Sequence, residues 1–263
     1  MTFNALILAG SRGGGDPVAL HAGVADKALV EIGGRTMLAR VVDALRAAGV
    51  ADIYVSYSSE AVRAHAAALG TIPLKGAAGP SASTAEAFAR TGAPLLVTTG
   101  DHALLRPEWI DAFLAALPSP ADVVAMLASR DVVERDAPPT RRTWLRFADG
   151  DWSGCNLFWL GTPRADAALQ LWSQVERDRK QPWRIVRRLG LSLLLRYLLG
   201  RLTLADALDA LGRKAGVTAR FVPSPSGLAA IDVDKVEDLT LVRGLLSVYS
   251  GSPSARSDLR AAG

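Results

Sequence analysis

A single cysteine, Cys155, in 263 residues leaves no internal disulfide and fits a reducing compartment. No basic region precedes the first apolar run, and that run is far too short for a signal peptide. No stretch reaches the roughly eighteen uninterrupted apolar residues that a membrane span needs. Together these absences lead us to expect a cytoplasmic protein. Aromatic residues are scarce at 6%, yet apolar residues make up 49% of the chain, which is ample for a sizeable core. Neither charge sign dominates, with a net charge of +4 and a pI near 9.5. So mild a balance suits an anionic small molecule or a membrane surface and gives no reason to invoke nucleic acid. His65, in an Ala-rich helical stretch, has no partner at metal-ligand spacing and reads as packed or solvated.

Two common phosphate loops are also missing. The dinucleotide fingerprint needs G-x-G-x-x-G opening a helix, and the P-loop needs Gly-Lys-Ser/Thr at its end. What stands at residues 4–35 instead is an apolar run stopping at Gly10, then Ser11, Arg12, Gly13, Gly14 and Gly15, then Lys27. The run reads as a buried parallel strand, and the glycines let backbone approach a ligand. Loops at the carboxyl end of a first strand are where open α/β sheets bind nucleotides. Their N–H groups form an anion-binding concavity, Arg12 adds a full charge, and Lys27 brings a point charge on a long arm. The order Leu8-Ala9-Gly10, Gly/Arg-rich loop, Lys27-Ala28-Leu29, Gly33-Gly34 resembles the first signature of the MobA-like nucleotidyltransferases. Asp26 stands where that family usually has proline.

Strand and helix patterns alternate through the first half, which predicts a mostly parallel sheet covered by helices. Thr36 caps a predicted helix ending at Gly49; a strand follows at 53–57, an Ala-rich helix closed by Gly70, and a short strand at 71–74. The loop from Gly76 through Gly79 runs into a helix expected to start near Ser83 or Thr84. By the resemblance, Gly79, Ser83 and Thr84 hold base and ribose; by the residues alone, Ser81, Ser83 and Thr84 serve equally as caps. A strand at 94–98 delivers Gly100-Asp101-His102. This turn resembles the inositol-1-phosphate cytidylyltransferases and implies that Gly100 touches nucleotide and Asp101 binds Mg²⁺, which takes oxygen ligands. His102 shapes the loop or touches phosphate. A helix is expected at 107–117, a strand at 121–128, a polar stretch at 130–142, and a hairpin at 143–160 around Asp149-Gly150. Asn156 is an expected acceptor contact, and Cys155 reads as packing.

Residues 163–216 form a helical block rich in arginine, including Arg184 and Arg187 as expected acceptor contacts. Its leucine-rich helix at 191–199 suits packing within a helical subdomain, or else a membrane interface, and packing is the expectation. Closing strands are expected at 219–222 and 229–233. Asp232-Val233-Asp234 then resembles the family's terminal motif, which implies a metal role for Asp234 and Asp232. On a strand the two acids share one face, and Asp234 can equally N-cap the next helix. Residues 1–249 thus read as one Rossmann-like α/β domain with a mostly parallel mixed sheet and a helical insertion, followed by a disordered tail at 250–263.

The resemblance implies transfer of a nucleotidyl group from a nucleoside triphosphate (CTP favoured, GTP permitted) to a phosphorylated small molecule, with release of pyrophosphate. Lys27, Arg12 and Asp101 are the expected catalytic residues. Competing readings are a glycosyltransferase of the same fold using a nucleotide-sugar, and a non-catalytic, membrane-associated nucleotide-binding module.

Overall fold

The computed structural model describes residues 2–10, 15–139, 142–178 and 190–250. Its centre is strand β1 (Asn4–Ala9), whose side chains alternate between two cores. Ala5, Ile7 and Ala9 face the larger one, while Leu6 and Leu8 face the smaller. Both faces being buried explains why this strand reads as an unbroken apolar run. Flanking it are β4 (Ile53–Tyr57) on one side and β6 (Leu95–Thr99) on the other, both parallel to it. β5 (Ile72–Lys75) extends the parallel set. Beyond β6 lies the long β9 (Gly150–Leu160), antiparallel to both β6 and β7 (Val123–Ser129). β10 (Ala219–Pro223) runs parallel to β7, and β8 (Leu145–Phe147) forms a hairpin with β9. The eight-stranded order is β10-β7-β9-β6-β1-β4-β5 with β8 on β9; β2 (Glu31–Ile32) and β3 (Arg35–Thr36) form a separate small ribbon. This mixed, mostly parallel sheet flanked by helices is the expected fold.

Helix α1 (Pro17–Ala22) follows the first loop. Helices α2 (Met37–Ala47) and α5 (Pro107–Ala115) pack Leu38, Val41, Val42, Leu45, Ile110 and Phe113 on the larger core. Thr36 caps α2 as expected, its hydroxyl accepting from the Ala39 N–H at 3.1 Å. α3 (Glu60–Ala68) carries His65, whose Nε2 lies 2.8 Å from the Thr36 hydroxyl, so it is a packing group. On the smaller core lie α4 (Pro80–Thr91) and α7 (Ala165–Asp178), through Ala87, Phe88, Ala165 and Leu169.

Several expectations change. α4 begins at Pro80, because Pro suits the first helical turn; Ser83 and Thr84 therefore lie inside the helix and are buried. The polar stretch after β7 contains a helix, α6 (Arg130–Asp136). No strand forms at 229–233: Gly227–Ala230 is a 3₁₀ turn, and an irregular segment leads to α10 (Val236–Ser250). In the helical block, α8 (Leu191–Leu198) and α9 (Leu204–Ala215) are present. The expected packing of α8 is incomplete. Leu195, Tyr197, Leu198 and Leu199 are exposed; among the described residues α8 meets the rest of the chain through half-buried Leu193 and Leu194, the edge contact of Tyr197 on Phe147 and the ion pair of Arg196 with Asp206. Among the described residues no helix is long and apolar enough to cross a membrane. Residues 179–189 of the expected helical block, and almost all of the expected tail, lie outside the described residues.

Candidate active site

The carboxyl ends of β1 and β6 stand side by side, and the Gly100 N–H donates to the Leu8 carbonyl at 2.9 Å. A Cβ on Gly100 would lie 3.1 Å from Ala9 Cβ, so this glycine permits two strand ends to meet. Between them opens a cavity of about 550 Å³ whose lining includes Leu8, Ala9, Gly10, Lys27, Gly100, Asp101 and Asp234. The size suits a small-molecule ligand. Seven residues singled out in the sequence therefore converge here from four segments of chain. Asp16 and Asp26 also line it, and they were not anticipated. Asp16 caps α1, its Oδ1 accepting from Val18 N–H at 2.9 Å. Asp26 caps the 3₁₀ turn Lys27–Leu29, accepting from Ala28 N–H at 3.1 Å. That bond fixes the turn presenting Lys27.

Lys27 is the hub. Its Nζ donates to Asp101 Oδ2 at 2.6 Å and to Asp234 Oδ1 at 3.1 Å. Burial pulls the ammonium toward neutrality, but the two carboxylates more than offset this and raise its pKa above the ordinary value. The terminal segment is tied to the same place through its backbone, Val233 N–H donating to the Asp101 carbonyl at 3.2 Å. The Asp234 carboxylate is turned to Lys27. At the start of α10 it is Asp238, in the first turn, that reaches back, its Oδ2 accepting from the N–H groups of Asp234 and Lys235 at 3.2 and 3.0 Å, as the acid of a capping box does.

Asp232 lies beside this hub without lining the cavity. Arg142 Nη2 donates to its Oδ1 at 3.0 Å, and Asn156 Nδ2 to its Oδ2 at 2.8 Å. Burial, then the charges of Asp234 and Asp101, raise the Asp232 pKa against the pull of Arg142. Because the segment is not a strand, Asp232 and Asp234 reach different partners rather than sharing a face. Asn156 owes its aim to backbone: it has φ 48° at a break in the β7–β9 register. A bulge re-aims a side chain in this way. Arg142 went unnoticed in the sequence, since nothing in its spacing marks it among the arginines of a polar stretch.

His102 sits behind the cavity, buried and stacked on Trp109 at 6.4 Å between ring centroids. Burial lowers its pKa to about 4, and it is not among the residues lining the cavity. Cys155 is buried, and burial pushes its thiol up to about 12, consistent with packing.

The nucleotide contacts expected on α4 are not brought to this cavity. The Ser83 hydroxyl accepts from Ala77 N–H at 2.9 Å, and the Thr84 hydroxyl donates to the Pro80 carbonyl at 2.8 Å. Gly79 faces Glu176 of α7, whose Oε2 accepts from Ser81 N–H at 3.2 Å. A Cβ on Gly79 would lie 2.6 Å from Glu176 Oε1; this glycine admits a carboxylate of the chain itself. No sequence spacing could have paired residues on these two helices. Ser11, Arg12, Gly13, Gly14, Arg184 and Arg187 lie outside the described residues.

The residues present fit a hard divalent cation shared with substrate phosphates. Asp101 Oδ1 is buried without a hydrogen-bond partner, an oxygen donor left open beside a second carboxylate. Among the described residues no three acidic, His or Cys groups gather closely enough to hold a metal unaided. Such a set matches cations that take one or two carboxylates and complete their shell with phosphate and water.

The fold is shared with solved structures. A hypothetical transferase from Thermus thermophilus is 33% identical, with 91% of this chain and 100% of that one covered at a TM-score of 0.77. CMP:2-keto-3-deoxy-manno-octonic acid synthetase, solved with CTP, is 17% identical over 94% of this chain and 99% of its own, with a TM-score of 0.57. A 4-diphosphocytidyl-2C-methyl-D-erythritol synthase from Anaerococcus prevotii is 12% identical over 94% and 98%, with a TM-score of 0.58. No curated protein matches the sequence significantly. The model of the MobA-like NTP transferase domain matches residues 5–220. With that span and a lysine-bridged acid pair at the carboxyl edge of its sheet, the chain belongs to the MobA-like NTP transferase family.

Proposed function

We propose that this transferase moves a nucleotidyl group from a nucleoside triphosphate, CTP before GTP, to a phosphorylated polyol or sugar, releasing pyrophosphate. The observation that carries the reading is Lys27 bridging Asp101 and Asp234 while Asp101 Oδ1 stays open. In this reaction an acceptor phosphate oxygen attacks the α-phosphorus, and the bond to the bridging oxygen of the leaving pyrophosphate breaks. No covalent intermediate on the protein is needed, so positioning and charge neutralisation carry the chemistry. Lys27 exchanges its carboxylate partners for phosphate oxygens, and the backbone at Gly10 with Arg12 of the glycine loop completes the anion site. Asp101 and Asp234 hold Mg²⁺, which when bound offsets the charge of two approaching anions. Asp232, fixed by Arg142 and Asn156, keeps these acids oriented. Asn156 also turns its remaining amide oxygen toward an acceptor hydroxyl, with Arg184 and Arg187 for the acceptor phosphate. The names of two same-fold proteins point to cytidine nucleotides, which supports CTP.

Pyrophosphate release measured over four NTPs and a panel of polyol and sugar phosphates tests this. We expect turnover with CTP and at least one acceptor. Release with no combination, or turnover of a nucleotide-sugar instead, overturns it.

A further inference from the structure

Helix α8 presents an apolar stripe to solvent. Leu195, Leu198 and Leu199 are 49%, 68% and 65% exposed, and their i, i+3, i+4 spacing puts them on one face. Ser192 and Arg196 occupy the adjoining face and line a groove of about 350 Å³, whose opposite wall is Arg213 and Lys214 of α9. Arg201 follows the helix directly. The acids of this region are taken: Asp206 pairs with Arg196, and Asp209 with Arg220. Arg201, Arg213 and Lys214 have no ion pair among the described residues. One helix thus carries exposed leucines flanked by unneutralised cations.

We infer that α8, with the basic groove between α8 and α9, docks this protein on an anionic lipid bilayer. A bilayer offers apolar depth beneath negative headgroups, which complements leucines bordered by cations; an amphipathic helix lying in that interface uses both. A second copy of this chain is disfavoured as occupant, because a symmetric contact would bring two copies of the same cation-bordered patch together. The inference does not depend on the transferred nucleotide or its acceptor.

Flotation of the full chain with vesicles of phosphatidylcholine, alone or mixed with phosphatidylglycerol, tests it. The anionic vesicles should carry the protein and the neutral ones should carry far less. The triple substitution Leu195→Ser, Leu198→Ser, Leu199→Ser should lower binding by on the order of 10²-fold or more. Arg201→Gln, Arg213→Gln, Lys214→Gln should cost roughly five-fold per charge, and added salt should act in the same direction. All six side chains lie outside the catalytic cavity, so pyrophosphate release with soluble substrates should be unchanged. Should the leucine variant fail to fold, the charge variant and the salt series decide alone. Failure to float with anionic vesicles, equal binding to neutral ones, or binding that survives the charge substitutions overturns the inference. So does a leucine-dependent dimer in sedimentation without vesicle binding, which would assign the face to a protein contact.

Discussion

Burial alone would drive the Lys27 ammonium toward its neutral form, yet Asp101 and Asp234 hold it charged. A cation so held can trade one oxyanion for another when phosphates arrive, and no proton need move. Asp101→Asn keeps the volume and removes the charge. It should lower pyrophosphate release by at least ~10²-fold, the scale for one key electrostatic stabiliser. Near-normal release at limiting Mg²⁺ would refute the assignment. Asp234→Ser should raise the Mg²⁺ requirement while leaving α10 intact, because the bonds from Asp238 to the backbone at the start of that helix do not use the Asp234 side chain; an unchanged Mg²⁺ dependence would place Asp234 outside the site. His102 makes a separate, pH-linked contribution. Its folded pKa is near 4 against about 6.5 unfolded. Above 6.5 both states are neutral and nothing is lost. As pH falls from there through 4, only the unfolded chain takes the proton, and stability drops by on the order of 3 kcal/mol. Urea unfolding at several pH values should show this slope in the natural chain and lose it in His102→Leu.

Two glycines separate a yielding contact from an unyielding one. At Gly79 a Cβ would meet the tip of the Glu176 side chain, which can swing aside. Gly79→Ala should therefore cost only about 1 kcal/mol, the scale of a lost helix cap at Ser81. At Gly227 a Cβ would come within 2.4 Å of the Val132 carbonyl oxygen and Val133 Cα, which are backbone of α6. Gly227→Ala should cost roughly 3 kcal/mol by overpacking the turn that leads to Asp232. Urea midpoints of the two variants measured side by side test the contrast; equal losses would mean that α6 yields as readily as a side chain. The same elements show what the sequence could and could not disclose. β1, β4 and α2 were legible because local periodicity and a capping threonine suffice to specify them. Lys27, Asp101 and Asp234 were legible because each sits at a strand end or turn with a family-like motif. The 3₁₀ turn at Gly227–Ala230 was not, since an apolar run bounded by glycine suits a strand equally well until α6 is known to press against it. Arg142 and Glu176 act across distant chain segments, and no local pattern announces such partners.

β9 joins the two halves of the sheet, lying antiparallel between β6 of the glycine-loop side and β7 of the side that ends in the helical block. Its bulge at Asn156 sets an amide on the second half's Asp232, a carboxylate that feels the charge of the first half's Asp101. The junction gathers three carboxylates, Asp101, Asp232 and Asp234, around Lys27 and Arg142, an excess of one negative charge. Burial first, and then repulsion from Asp234 and Asp101, raises the Asp232 pKa there. A triphosphate arriving alone adds to that repulsion. A divalent cation alone finds too few ligands, since among the described residues no three acidic, His or Cys groups stand close enough to hold it unaided. The two together should satisfy each other, so ligand stabilisation should be strongly non-additive. Mg²⁺ or CTP singly should move the melting temperature little. At concentrations near a hundred times the dissociation constant the pair contributes ~2.7 kcal/mol, which is about 5–10 °C for a chain of this size. Asp101→Asn should abolish the joint shift, whereas Arg201→Gln, Arg213→Gln, Lys214→Gln should leave it intact. Thermal melts with each ligand alone and with both make the test. A full shift from CTP without any divalent cation would show that Lys27 and the glycine loop suffice, and that the acids serve only to hold the two halves together.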